Sequence, residues 1–207
     1  MKYISIDIET TGLSPEENQI LQIGAVIEDT DQVKELNQLP TFNCIVEHNS
    51  YLGQAGAIHL NSKIFKTLAE LEKATLDKKL AIKREHNILP EKLVVQSFSM
   101  WLIANGFEPN KSGQIHITAA GKNFATFDKL FLEKLINWKS KIIVRQRILD
   151  PTCYFIDWKN DEVLPNLSLC KQRANLDSEV SHDALDDAFD VIKILRKVTY
   201  NYTKNLF

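Results

Sequence analysis

The sequence is short of three things, and each shortage narrows the possibilities. Its 207 residues include only three cysteines, Cys44, Cys153 and Cys170. They lie far apart, are odd in number and show no zinc or redox spacing, so buried free thiols in a reducing compartment are expected. Long apolar runs are also missing. No stretch is long enough to span a bilayer, and Asp7 and Glu9 interrupt the apolar N-terminus where a secretory signal would need its core. A cytoplasmic address with no membrane partner is the expectation. Finally, there is no excess of one charge. With a formal net charge of −2, the chain has no overall attraction for polyanions, and a nucleic-acid site must use local positive charge or bound metal. Internal repeats and low-complexity segments are absent too.

What is present begins at Tyr3-Ile4-Ser5-Ile6-Asp7-Ile8-Glu9-Thr10-Thr11-Gly12-Leu13. Side chains of a strand alternate, which puts Ile4, Ile6 and Ile8 on one face and Ser5, Asp7 and Glu9 on the other. Two carboxylates on one face repel, and burying them together is costly unless a cation sits between them. Hard Mg²⁺ or Mn²⁺ is the simplest candidate. Taken alone, the pair is equally explained by a strand whose polar face meets water.

Further along, Ile20–Glu28 and Thr41–Glu47 read as two more strands, and short connections imply an antiparallel meander. The stretch 48–61 reads as irregular. From Ser62 to Asn105 the pattern is helical, interrupted near 87–90. Its first part mixes Lys63, Lys66, Lys73, Lys78, Lys79, Lys83 and Arg84 with Glu70, Glu72, Asp77 and Glu85, the composition of a solvated face. Its second part starts at Pro90, turns Leu93, Val94, Phe98, Trp101 and Leu102 inward, and ends at Gly106. A strand at 114–119, a helix at 123–138, a strand at 145–150, a short helix at 167–173 and a last helix from Ser181 to about Lys197 follow, with a loose tail from Thr199. Strands alternating with helices after a meander imply an α/β mixed sheet flanked by helices.

Two later segments add acids. Asp128 opens the helix that follows Gly121-Lys122-Asn123-Phe124-Ala125-Thr126-Phe127. In the run Ser181-His182-Asp183-Ala184-Leu185-Asp186-Asp187-Ala188, Ser181 can cap a helix. His182 stands at the helix mouth and Asp187 lies further in beside small residues. Asp183, Asp186 and Asp190 read as exposed acids.

The runs D-I-E-T-T-G-L, N-F-A-T-F-D and H-D-A-L-D-D-A, in this order, resemble the three signatures of the DEDDh exonucleases. That family includes polymerase proofreading subunits, oligoribonucleases and ribonuclease T. The resemblance spans nearly the whole chain and implies a ribonuclease-H-like α/β fold. It implies that Asp7, Glu9, Asp128 and Asp187 hold two Mg²⁺ or Mn²⁺ ions and that His182 is the general base. It further implies that Thr10, Thr11, Gly12 and Leu13 line the terminal nucleotide, with Asn123 and Phe124 contacting it or its neighbour. The implied substrate is a single-stranded RNA or DNA 3′ end, cut to nucleoside 5′-monophosphates.

The sequence departs from the family pattern at Lys122, where histidine is common. The Asn123–Asp128 spacing and Ala184-Leu185-Asp186-Asp187 lean toward the oligoribonucleases and short substrates. Residues 1–207 are expected to form one domain, with a helical insertion at about 62–88. A homodimer, a polymerase partner and a catalytically inactive binding relative stay open as alternatives.

Overall fold

The computed structural model describes residues 1–177 and 181–204. Strand β1 (Lys2–Thr10) pairs antiparallel with β2 (Ile20–Asp29), which pairs antiparallel with β3 (Thr41–Glu47). The expected meander is therefore present. β2 is buried on both faces, as its unbroken apolar middle requires.

Parallel strands extend this meander on both sides: β4 (Ile88–Pro90) beside β3, and β6 (Ala119–Ala120) beside β1. The order is β4-β3-β2-β1-β6. β4 occupies the place where only a break between helices was expected. The strand expected at 114–119 divides at Thr118. Its first part, β5 (Ile115–Ile117), pairs in parallel with β7 (Ile142–Val144) in a separate small sheet, while β6 stays with β1. β7 precedes the strand expected at 145–150, of which a single bridge from Leu149 to Ala120 is formed.

Helix α1 (Ala55–Leu60) lies in the stretch expected to be irregular. Helices α2 (Ser62–Lys73) and α3 (Leu76–Glu85) follow. α2 buries Ile64, Leu68 and Leu71, whereas α3 buries nothing, so its mixed charges face water. α4 (Glu91–Ala104) buries Val94, Val95, Phe98 and Leu102; Leu93, expected inside, is exposed. The helix expected at 123–138 is broken, because Asn123 (φ 56°) and Asn137 (φ 69°) take left-handed backbone that asparagine tolerates. Only α5 (Asp128–Leu132) and α6 (Trp138–Lys141) are formed. α7 (Leu167–Arg173) has its expected bounds. α8 (Ala184–Lys204) continues through the segment expected to be a loose tail, of which 205–207 lie outside the described residues.

The central sheet has two unlike faces. Ile4, Ile6 and Ile8 pack with α4, Phe124, Leu132 and Trp138. Tyr3 and Val26, on the other face, pack with Cys170 of α7 and with Ala188, Val191, Ile192 and Leu195 of α8. Cys44 and Cys170 are buried as expected, but Cys153 is exposed, on a 3-10 turn at Pro151–Tyr154 whose buried residues are Pro151 and Thr152. Among the described residues no helix is long and apolar enough to cross a membrane.

Candidate active site

The acid-bearing face of β1 opens into a cleft of about 490 Å³, lined by Asp7, Glu9, Asp128, His182 and Asp187 among others. Three elements distant in sequence deliver these side chains. Asp7 and Glu9 come from β1. Asp128 is the first residue of α5, and its Oδ1 accepts a hydrogen bond from the Ile8 backbone N–H at 3.1 Å, tying that helix to the strand between the two acids.

Asp187 arrives on α8, and the approach depends on β2. Gly24 pairs with Asp7 across the sheet, and a Cβ there would lie 2.2 Å from the Ala184 and Leu185 backbone. Glycine therefore lets the start of α8 rest directly on the sheet. Gln22, paired with Glu9, clamps the same helix end. Its Nε2 donates to Asp183 Oδ2 at 3.0 Å, and its Oε1 accepts from the Ala184 N–H at 3.3 Å.

Asp183, not Ser181, caps α8. Its Oδ1 accepts from the Leu185 and Asp186 N–H groups at 3.0 and 3.3 Å, whereas Ser181 Oγ accepts from the Asp183 N–H. His182, just ahead of the cap, is exposed and has a left-handed backbone (φ 52°), which turns the chain before the helix starts. Ligand atoms of Glu9, His182 and Asp187 all lie within 4.8 Å of one another.

The electrostatics are those of crowded acids. Burial first, then the charges of Asp128, Asp187 and Glu9, push the Asp7 carboxyl well above the usual carboxylate range. Burial drives Asp128 up to about 7, against hydrogen bonds from its own and the Ile8 backbone amides. Asp187 is pushed up to about 6 by burial and by Glu9 and Asp190. Glu9 is raised by burial, which the Asn61 amide and His182 partly oppose. Asp187 Oδ1 is buried with no hydrogen-bond partner. Four hard oxygen donors that repel one another, one of them orphaned, fit divalent cations.

The residues expected to meet the nucleotide are placed unequally. Thr10 and Thr11 are buried and their hydroxyls bond the protein itself: Thr10 Oγ1 donates to Gly12 O at 2.7 Å and Thr11 Oγ1 to Leu52 O at 2.6 Å. Gly12 is buried against Asn18, whereas Leu13 is 73% exposed. Asn123 is exposed and lines the cleft. Phe124 corrects the expectation: it is fully buried in the core beneath β1, and the aromatic ring lining the cleft is Phe127.

Several contributors escaped the sequence reading. Gly24 carried one signal, since a glycine inside a strand marks close backbone approach. Asn61, between α1 and α2, is buried, and its Nδ2 donates to Ala57 O at 3.1 Å and Thr10 O at 3.3 Å. Nothing local announces it. Asp190, expected to be exposed, is buried, because Lys171 of α7 pairs with it at 2.5 Å and Lys193 at 2.8 Å.

Known proteins share this architecture. The structure of E. coli exonuclease I with a dT13 oligonucleotide superposes with a TM-score of 0.58 at 16% identity, over 100% of this chain and 42% of that one. Exonuclease I from Methylocaldum szegediense gives 0.60 at 14% identity, over 96% and 40%. Cell-death related nuclease 4 (CRN-4) gives 0.57 at 14%, over 97% and 64%. The chain thus spans about two-fifths of the exonuclease I structures, and the likeness establishes the ribonuclease-H-like fold. No curated protein matches the sequence. The sequence profile of the exonuclease family, RNase_T, matches residues 4–195, and on that match the chain belongs to this family.

Proposed function

We propose that this chain is a metal-dependent 3′→5′ exonuclease that removes nucleoside 5′-monophosphates from single-stranded nucleic acid and favours short oligonucleotides. The observation that carries the reading is the convergence of Asp7, Glu9, Asp128, Asp187 and His182 on one cleft. In this reading 1–207 is one exonuclease domain and 62–88 an insertion. E. coli exonuclease I has been seen in a zinc-bound form with ssDNA, which supports a divalent cation and a single-stranded substrate.

Asp7, Glu9, Asp128 and Asp187 would hold two Mg²⁺ or Mn²⁺ ions. When bound, such ions stabilise charge on the attacking and leaving oxygens of a phosphodiester. His182 takes a proton from the attacking water, a task suited to an imidazole whose unperturbed pKa is about 6.5. Its exposed place ahead of α8 lets the ring reach the cleft from the solvent side. Leu13 offers an apolar surface to the terminal base, and Asn123 a polar contact beside it. Thr10 and Thr11 support Leu13 by fixing the turn from within.

The preference for short substrates rests on where the positive charge goes. A long single strand is gripped by a basic groove with interleaved aromatics. In the most basic part of this chain Lys129 and Lys139 both pair with Glu133, and Lys134 pairs with Glu16. The test is a digestion panel of labelled RNA and DNA oligomers of increasing length, with EDTA, Mg²⁺ or Mn²⁺. We expect no cleavage in EDTA, laddered products and nearly constant kcat/KM with length. A steep rise with length, or digestion without intermediates, would overturn the short-substrate reading. Metal-independent cleavage would overturn the mechanism.

A further inference from the structure

Lys122 is the only lysine or arginine among the described residues that line the acid cleft. It is half-buried and makes no ion pair within 4 Å with another described residue, although four carboxylates share the cleft with it. Its backbone is held on both sides. The Gly121 N–H donates to Leu149 O at 3.1 Å, and the Asn123 N–H donates to Asp150 Oδ2 at 3.0 Å. Gly121 passes so close under β1 that a Cβ on it would lie 2.8 Å from Ile6 O. This lysine is therefore fixed in place next to Asp7, yet its ammonium is committed to no single acid.

Charge counting suggests what the ammonium is for. Four carboxylates bring −4 and two divalent cations bring +4, which leaves the occupied site near neutral. A phosphodiester entering it adds one negative charge, and more develops on its oxygens during hydrolysis. Lysine acts on phosphate as a point charge and needs no fixed fork geometry.

We propose that Lys122 is the protein's own cationic contact to the scissile phosphate, holding a non-bridging oxygen once the four acids are committed to metal. The proposal rests on the exonuclease reading above, but it specifies a residue and a substrate group that the reading leaves open. A competing role, in which Lys122 only balances the acids, predicts an effect on metal binding and none on phosphate.

The experiment uses the full chain carrying His182→Ala, which slows turnover and keeps all four acids, with and without Lys122→Met. Binding of a fluorescent single-stranded oligonucleotide is followed by anisotropy in Mg²⁺ over a salt series. Loss of one phosphate contact should weaken binding about tenfold at low salt and flatten the slope of log affinity against log salt by about 0.7. Lys122→Arg should restore both. An oligonucleotide with a neutral methylphosphonate at its 3′-terminal linkage should bind the two proteins nearly alike, since their shared contact is already gone. An unchanged salt slope, or an equal loss on both oligonucleotides, would overturn the proposal. So would weaker Mn²⁺ binding in calorimetry with intact oligonucleotide affinity on Lys122→Met in the otherwise native chain. Failure of the exonuclease reading is seen separately, as a native chain that degrades no 3′ end.

Discussion

Ile6 and Asp7 are neighbours on one strand, yet they serve opposite ends. Ile6 faces α4 and is 1% exposed in the main apolar core. Asp7 faces α8, where burial first and then the charges of three other acids raise its carboxyl. One face of β1 is thus a source of stability. The other is a place where the folded chain holds like charges together at a cost, which cations can offset. Adjacent substitutions should therefore separate folding from function.

The largest effect is expected at Asp7. Asp7→Asn should abolish hydrolysis while leaving the thermal midpoint of the metal-free protein unchanged or higher, because repulsion is relieved. Full turnover by the purified variant would end the assignment of this face as the catalytic one. Next comes His182→Ala, which should slow hydrolysis by roughly 10²–10⁴-fold while Mn²⁺ binding in calorimetry stays intact. If Mn²⁺ binding disappears with the imidazole, His182 is a ligand and not a base.

Ile6→Ala gives the contrasting result. Removing this buried side chain should destabilise the fold by about 2–5 kcal/mol in urea melts, with activity per folded molecule retained. A loss of specific activity at full folding would show that the two faces are not independent.

The pH dependence sharpens the comparison from the acid side. Asp128 is pushed up to about 7 and Asp187 to about 6, both from near 4 in an unfolded chain. A carboxyl whose folded pKa is raised keeps its proton longer in the folded state, so folding is penalised progressively as pH rises through that window. The metal-free protein should therefore lose thermal stability between about pH 4 and pH 7. Mg²⁺ or Mn²⁺ should raise the melting temperature more at pH 8 than at pH 5. A metal-induced shift that is the same at both pH values would show that the acids are not the binding groups.

The smallest effect is expected far from both faces. Lys83 and Glu47 form a partly exposed ion pair at 2.6 Å. Lys83→Met should change stability by under about 1 kcal/mol and leave oligonucleotide hydrolysis untouched. A large loss of activity would give the α2–α3 segment a functional part that its solvated faces do not suggest.

Some of this was readable in advance because the signal was local. β1 to β3 alternate or stay apolar over seven or more residues, and α7 carries its helical period and its Asn166 cap within one short run. The misreadings share a cause. Ile88–Pro90 is a strand only because β3 lies beside it. The stretch 114–119 divides because β1 takes one part and β7 the other. Phe124 reads in the sequence as a contact for a nucleotide, but it is buried in a core that includes Ile4, Ile6 and Ile8, more than a hundred positions away in the chain. Asp190 looked exposed until Lys171 came to meet it.

The sequence by itself determined which atoms could do chemistry. Asp7, Glu9, Asp128, Asp187 and His182 are fixed as residue types in three short runs, and alternation on β1 already puts two of them on one face. Only the tertiary structure decided that they meet. Gly24 lets α8 lie against β2, Gln22 clamps the helix start, and the Ile8 amide draws in Asp128. Each of these contacts joins residues 120 or more positions apart, and no local period encodes such a distance. It is set by which apolar faces must be buried together, and that choice belongs to the whole chain.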